Sequence, residues 1–198
     1  MRRNRRQDFE RIFRPAFATL TLLLALAASQ QAAATTLMRM SLLQLSQAAG
    51  QVVRARCIGN STGWDAGEIW TFTSFAVEEA WRGSAPPQIS VRLLGGRIGN
   101  ITSTVSGVPR FSAGEEVILF LEPTPRGDFS IVSWEQGTFR ILRDGRSGEE
   151  IAVQDTASFP VFDPTTRRFA PTGIRSLPVA TLRARVESAV REGTGRQP

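Results

Sequence analysis

The chain has 198 residues, 41% of them hydrophobic and 21% charged, an ordinary composition for one globular domain. It contains no His, no Tyr and, among its 24 basic residues, no Lys. These gaps exclude the commonest general base and metal ligand, a Schiff-base or P-loop lysine, and any Ser-His-Asp or Cys-His machinery built from this chain alone. The formal charge of +6 is unevenly spread: the first 34 residues hold six arginines and two acids, leaving 18 arginines against 16 acids elsewhere. That excess is too small to argue for nucleic acid as a partner.

Residues 1–14 are basic, residues 15–28 are an apolar run, and Gln31-Ala32-Ala33-Ala34 places small residues at −3 and −1 of a cleavage after Ala34. This is the three-part pattern of a signal peptide. The apolar run is too short for a spanning helix, which needs about 20 residues. Arg5-Arg6 hints at a twin-arginine route, but Phe9 falls one position late, which favours the general route. The expectation is removal of residues 1–34 and export to the periplasm or the extracellular space, with no membrane contact after cleavage.

Ser41-Leu42-Leu43-Gln44 has the spacing of a capping box and predicts a short helix ending at Gly50. Gln51–Ile58 reads as a strand, and within it Cys57, the single cysteine, reads as a buried small hydrophobe. Asn60-Ser61-Thr62-Gly63 and Asp65-Ala66-Gly67 read as turns. Glu68–Trp81 is strand-forming, with Ile69, Thr71, Thr73, Phe75 and Val77 on one face and Trp70, Phe72 and Ala76 on the other, which predicts a strand that bends between environments. Gln88–Leu94 alternates, with Ile89, Val91 and Leu93 inward.

Gly95–Gly114 is the least regular stretch, although Ile101–Val105 is β-branched enough for a short strand. Val117–Leu121 is continuously apolar and predicts a central strand. Phe129–Trp134 and Thr138–Leu142 predict a hairpin around Glu135-Gln136-Gly137, and Asp144–Gly148 a turn into the weaker strand Glu149–Val153. Pro160–Pro171 reads as a loop or linker. Pro178–Glu192 is amphipathic, with Val179, Leu182, Val186, Ala189 and Val190 in one stripe and Ser176 as its cap.

Together these elements predict a mainly β fold: a small five- or six-stranded OB-like barrel with an N-terminal helix over residues 35–155, then a Pro-rich loop and a C-terminal helix packed on it over 156–198. Phe75, Val77, Val91, Leu119 and Phe120 are expected to form its core.

Phe75-Ala76-Val77-Glu78-Glu79-Ala80-Trp81-Arg82-Gly83 resembles a strand end of netrin-like domains and tissue inhibitors of metalloproteinases, with Arg82 in place of the usual Lys. Phe111–Leu121 is similar to a second strand of the same families. Gly95-Gly96, Gly107-Val108-Pro109-Arg110-Phe111, Gly114-Glu115-Glu116 and Gln136–Ile141 resemble uncharacterised exported bacterial proteins, and the N-terminal part of some secreted matrixin-type peptidases. The resemblance covers roughly Gln51 to Leu142 and implies an oligonucleotide/oligosaccharide-binding type of barrel. Inhibitor function does not carry over, because metalloproteinase inhibitors place an N-terminal cysteine on the catalytic zinc and no cysteine lies near Thr35-Thr36-Leu37.

Paired acids occur at Glu78-Glu79, Glu115-Glu116 and Glu149-Glu150, but adjacent strand residues face opposite ways. Nothing in the spacing brings two carboxylates together around a substrate, so no catalytic residue, metal site or cofactor is expected. Trp70, Trp81 and Trp134 read as core; Trp64, in a turn, is the exception and a binding candidate. Gly95–Phe111 is the best candidate binding surface, through Arg97, Asn100 and Arg110. Arg110 also has a structural reading, a salt bridge to Glu115 or Glu116 that pins the loop.

The expected function is an exported non-enzymatic binding module that contacts a protein, a secreted peptidase being one candidate. The alternative is an envelope protein that binds a glycan or small ligand on the barrel face. N-terminal sequencing of the exported protein should read Thr35-Thr36-Leu37, and an intact Met1 in a membrane fraction would overturn the export reading.

Overall fold

Side chains alternate in and out along most of the chain from residue 51 to residue 154, and the architecture follows from where those alternating faces are buried. A computed structural model describes residues 37–154, 160–171, 173–174 and 176–194. The expected export segment and its cleavage site lie outside the described residues. In chain order the elements are α1 (Leu42–Ala48), β1 (Gln51–Asp65), β2 (Glu68–Arg82), β3 (Gln88–Leu94), β4 (Gly96–Ile98), β5 (Ile101–Ser103), β6 (Glu116–Pro123), β7 (Phe129–Ile131), a 3-10 turn (Trp134–Gly137), β8 (Thr138–Arg143), β9 (Glu150–Gln154), β10 (Pro160–Asp163), β11 (Arg168–Pro171), β12 (Leu177–Pro178) and α2 (Val179–Thr194). Among the described residues no helix is long and apolar enough to cross a membrane.

The main sheet runs β1-β2-β3-β7-β6-β8-β9-β12, and a further pairing of β1 with β6 closes its first five strands into a ring. The result is the expected mainly β, OB-like barrel. The shortest pairing in the ring is the parallel one between Val91 of β3 and Phe129 of β7; the other pairings of the ring are antiparallel.

The barrel interior collects the inward residues of each strand: Val53, Ala55 and Cys57 of β1, Phe75 of β2, Ile89, Val91 and Leu93 of β3, and Val117, Leu119 and Leu121 of β6. Cys57 is buried there, and burial, with Glu115 nearby, pushes its thiol pKa up.

Ile118 and Phe120 point the other way. With Val52, Trp81, Phe139 and Ala152 they form a second core, covered by Leu45 and Ala49 of α1 and by Val179, Leu182 and Val186 of α2. The Phe120 and Phe139 rings meet at 5.6 Å between centroids. The expected single core is therefore two: Phe75, Val91 and Leu119 lie inside the barrel with Val77 packed at its edge, and Phe120 lies under the helices. Neighbours on a strand cannot share a face. The capping box of α1 is present as expected, with Ser41 Oγ accepting from Gln44 N and Gln44 Oε1 from Ser41 N. The apolar stripe of α2 is likewise buried or packed against the core.

Four local expectations are corrected. Asn60–Gly63 is not a turn, since β1 continues through it to Asp65 and reverses only at Ala66-Gly67, where φ is +50° and +83°. Phe129–Ile131 and Thr138–Arg143 do not pair as a hairpin. Both lie antiparallel on the same edge of β6, end to end, because the left-handed backbone of Ser133 and Trp134 steps the chain outward and returns it. Pro160–Pro171 is a two-stranded ribbon whose Asp163 carboxylate accepts from Thr165 N and Thr166 N and sets the turn. Ser176 does not cap α2, which begins three residues later at Val179.

Two buried glutamines tie residues 38–40 and Ile174 to the barrel. Gln136 Oε1 accepts from Met40 N at 2.8 Å and Gln136 Nε2 donates to the Met38 carbonyl at 2.8 Å. Gln154 Oε1 accepts from Ile174 N at 3.1 Å, and Gln154 Nε2 donates to the Gln136 carbonyl. Met38 also bridges Phe162 of β10 in parallel.

An ion network lies on the same outer face as the second core. Arg54 reaches Glu78 at 3.1 Å, Glu116 at 2.9 Å and Glu150 at 2.7 Å, and Arg56 reaches Glu78 and Glu116 at 3.0 and 2.8 Å. One member of each acidic pair thus converges on a guanidinium that is only 15% exposed. The hydrogen bond from Arg54 holds the Glu150 carboxyl below its ordinary pKa.

Each layer can be probed by one substitution. Phe120→Ala, which leaves a void under the helices, should cost about 3–5 kcal/mol in denaturant unfolding; a cost below about 1 kcal/mol would misplace that core. Arg54→Met should cost about 2 kcal/mol at pH 7. A carboxyl depressed in the folded state stabilises above its unfolded pKa of about 4.3 and loses that contribution as pH falls through the folded value. The gap between wild type and Arg54→Met should therefore close as pH drops below about 4, and a gap that does not change with pH would remove Glu150 from the account.

Candidate functional site

The segment between β3 and β6 closes one opening of the barrel, and its conformation starts with two glycines. Gly95 and Gly96 have φ of +91° and +150°. A Cβ on Gly95 would sit 2.7 Å from the Ser103 carbonyl oxygen, and one on Gly96 2.7 Å from Thr71 Oγ1. Only glycine permits both the turn and the approach. The chain then forms the small hairpin of β4 and β5, which turns at Gly99-Asn100. The strand expected within Ile101–Val105 is Ile101–Ser103.

Past this hairpin the segment plugs the barrel. Val108 and Phe111 belong to the interior core, and the Phe111 ring meets Phe75 edge-on at 5.0 Å. The backbone is held from both sides: Asn60 Nδ2 donates to the Phe111 carbonyl at 2.8 Å, and Arg140 donates to the Arg110 carbonyl at 2.8 Å. Glu135 N donates to the Gly107 carbonyl at 3.1 Å. Pinned between buried Pro109 and buried Phe111, the Arg110 side chain has only the outward direction left, and it is exposed.

Arg97 is presented in the same way. Thr62 Oγ1 donates to its carbonyl at 2.8 Å, and Thr71 Oγ1 donates to the Gly95 carbonyl at 2.7 Å. Thr73 Oγ1 donates to Asn60 Oδ1 at 2.6 Å. Arg97 and Arg110 line a common cavity of about 210 Å3, floored by Leu93, Pro109 and Phe111. Arg97 donates to the Gly99 carbonyl at 3.0 Å, and Arg110 makes one long contact, 3.5 Å, to the Ser103 carbonyl.

Neither guanidinium has a carboxylate partner among the described residues. The expected salt bridge from Arg110 to Glu115 or Glu116 is absent, because Arg140 takes Glu115 at 2.8 Å while Arg54 and Arg56 take Glu116. Strand register places Arg140 opposite Val117 and so beside Glu115.

Of the other two binding candidates, Asn100 is exposed in the β4–β5 turn. Trp64 is the next-to-last residue of β1, 55% exposed and paired across the ladder with Ile69. Neither lines the cavity.

The threonines and Asn60 are anchors of the segment that the sequence did not single out. Their signal was visible: Thr71 and Thr73 are polar positions on the inward face of a strand, between Ile69 and Phe75. A polar side chain there must find a partner: Thr71 finds it in the loop itself, and Thr73 in Asn60, which in turn binds the loop.

A larger cavity, about 350 Å3, lies between Glu79, Trp81, Glu149, Glu150 and the start of α2 at Val179, Ala180 and Arg183. Two of its three carboxylates are already engaged. Glu79 accepts from Arg183 at 2.7 Å and from Trp81 Nε1 at 3.3 Å. Glu150 is held by Arg54 with a lowered pKa, the reverse of what a general acid needs.

On the outer barrel face Arg92 lies over the Trp70 and Phe72 rings, 4.6 and 5.6 Å from their centroids. Asp65 and Asp128, each at 2.9 Å, fix it there. Comparison with known proteins found no family model and no curated protein that matches the chain.

Thr71→Val keeps the shape of the anchor but strands the Gly95 carbonyl, and should cost about 1–3 kcal/mol in urea unfolding. A neutral result would mean that the loop does not depend on this bond.

Proposed function

We propose that the chain is an exported binding module, without catalytic activity of its own, whose Gly95–Phe111 segment contacts a protein partner. The observation that carries this reading is the pair Arg97 and Arg110: two exposed guanidiniums on a rigidly held loop, sharing a cavity and lacking carboxylate partners among the described residues. Five other arginines, Arg54, Arg56, Arg92, Arg140 and Arg183, are instead paired with the protein's own acids. Arginine donors and an apolar floor suit a protein interface, and a loop pinned at both ends binds without a large ordering cost. The signal-like residues 1–34 support export.

The reading that places a glycan or small ligand on the barrel face would use Trp70 and Phe72, whose rings Arg92 already covers. That coverage favours the protein partner.

The test is capture of partners by the tagged protein from the exported fraction, alongside the single variants Arg97→Ala and Arg110→Ala. Each variant should lose partner yield while its melting temperature stays within about 2 °C of wild type. A partner retained at full yield by both variants would move the interaction surface elsewhere.

A further inference from the structure

The cavity between Arg97 and Arg110 combines two features that narrow what can enter it. Its rim carries two positive charges that no carboxylate among the described residues pairs, and each guanidinium spends one contact on a backbone carbonyl and keeps most of its N–H donors. Its floor is apolar, made by Leu93, Pro109 and Phe111. The polar groups of the wall are already used, since the hydroxyls of Thr62, Thr71 and Thr73 donate to protein oxygens. A ligand that fits has a short apolar stem and an anionic head that accepts forked hydrogen bonds.

We infer that this cavity receives the carboxylate of an Asp or Glu side chain projecting from the partner protein. The inference rests on the binding-module reading and adds the chemistry of the contact. The carboxylate accepts from both guanidiniums, and paired charge-assisted bonds of this kind are about twice as strong as neutral ones. The methylene stem covers the Phe111 and Leu93 floor. Because Val108 and Phe111 are locked in the barrel core, the site is formed before the ligand arrives.

The experiment titrates the purified protein with the blocked tripeptide acetyl-Ala-Glu-Ala-amide and follows the arginine Nε–H resonances by NMR. Arg97→Ala and Arg110→Ala assign the two signals. Acetyl-Ala-Gln-Ala-amide and inorganic phosphate serve as parallel arms. The Glu peptide should shift both resonances saturably in the millimolar range. The Gln peptide should bind about tenfold more weakly or worse. Removal of either arginine should weaken binding at the other, and Arg97→Lys, which keeps the charge but loses the fork, should fall between wild type and Arg97→Ala.

Equal shifts with Glu and Gln peptides, or shifts spread evenly over all exposed arginines, would overturn the inference. So would phosphate binding more tightly than the Glu peptide, which would assign the cavity to a phosphorylated ligand. If partner capture depends on Arg97 and Arg110 but the Glu peptide leaves both resonances unmoved, the binding module stands and the carboxylate falls. If the Glu peptide binds as expected while capture ignores both arginines, the carboxylate site stands and the protein-partner reading falls.

Discussion

Five consecutive apolar residues, Val117 to Leu121, form a strand that has to be dry on both faces. A barrel dries only its inner face, so Val117, Leu119 and Leu121 are satisfied by the ring and Ile118 and Phe120 are not. The two helices answer that requirement. They cover β6, β8 and β9 and extend the fold on one side. Both edges of β6 are occupied as well, one by β1 and the other by β7 and β8 in succession. With one side of the barrel committed to a second core, the segment between β3 and β6 shapes the barrel opening.

The distribution of arginine follows the same division. On the outer face of β1, β6 and β9, Arg54 gathers carboxylates from three different strands and is shielded by them. On β3, Arg92 is clamped between two aspartates and two aromatic rings. At the barrel opening, Arg97 and Arg110 are held by their backbones instead, and their head groups have no such neighbours among the described residues. Because their backbones are already fixed, a partner that supplies the missing charge has only the side chains left to order.

Whatever depends on near neighbours is legible in the amino-acid sequence. The alternation of Gln88–Leu94, the capping box at Ser41, the apolar stripe after Val179 and the Asp65-Ala66-Gly67 turn are all found where the sequence puts them. The features that differ depend on distant partners. Asn60 and Thr62 look like turn residues because their side chains are polar, yet the acceptors they satisfy lie 51 and 35 residues away, which keeps them in a strand. The convergence of Glu116 and Glu150 on Arg54 spans 62 and 96 residues. The salt bridge expected for Arg110 fails for the same reason: Glu115 is close in sequence, but the register of β8 on β6 delivers Arg140 first. Arg97 and Arg110 are legible as candidates because a glycine-flanked, irregular segment announces itself. The threonines that hold it are not, because they look like ordinary strand residues.

The attachment of residues 38–40 bears on how the chain reaches this fold. Met40 is bound by Gln136, 96 residues later, and Arg39 pairs with Asp163, 124 residues later. The ring itself contains a parallel bridge between Val91 and Phe129, the kind of pairing that cannot form by zipping a hairpin. The β1–β2 hairpin can form early from local contacts, but the start of the described chain stays unattached until those distant segments have come into place. Such long loops are closed late and at an entropic cost. While the chain folds, the barrel edge and the apolar face of β6 therefore remain open longest, and this interval, rather than any weakness of the finished structure, is where the protein is most exposed to misassembly.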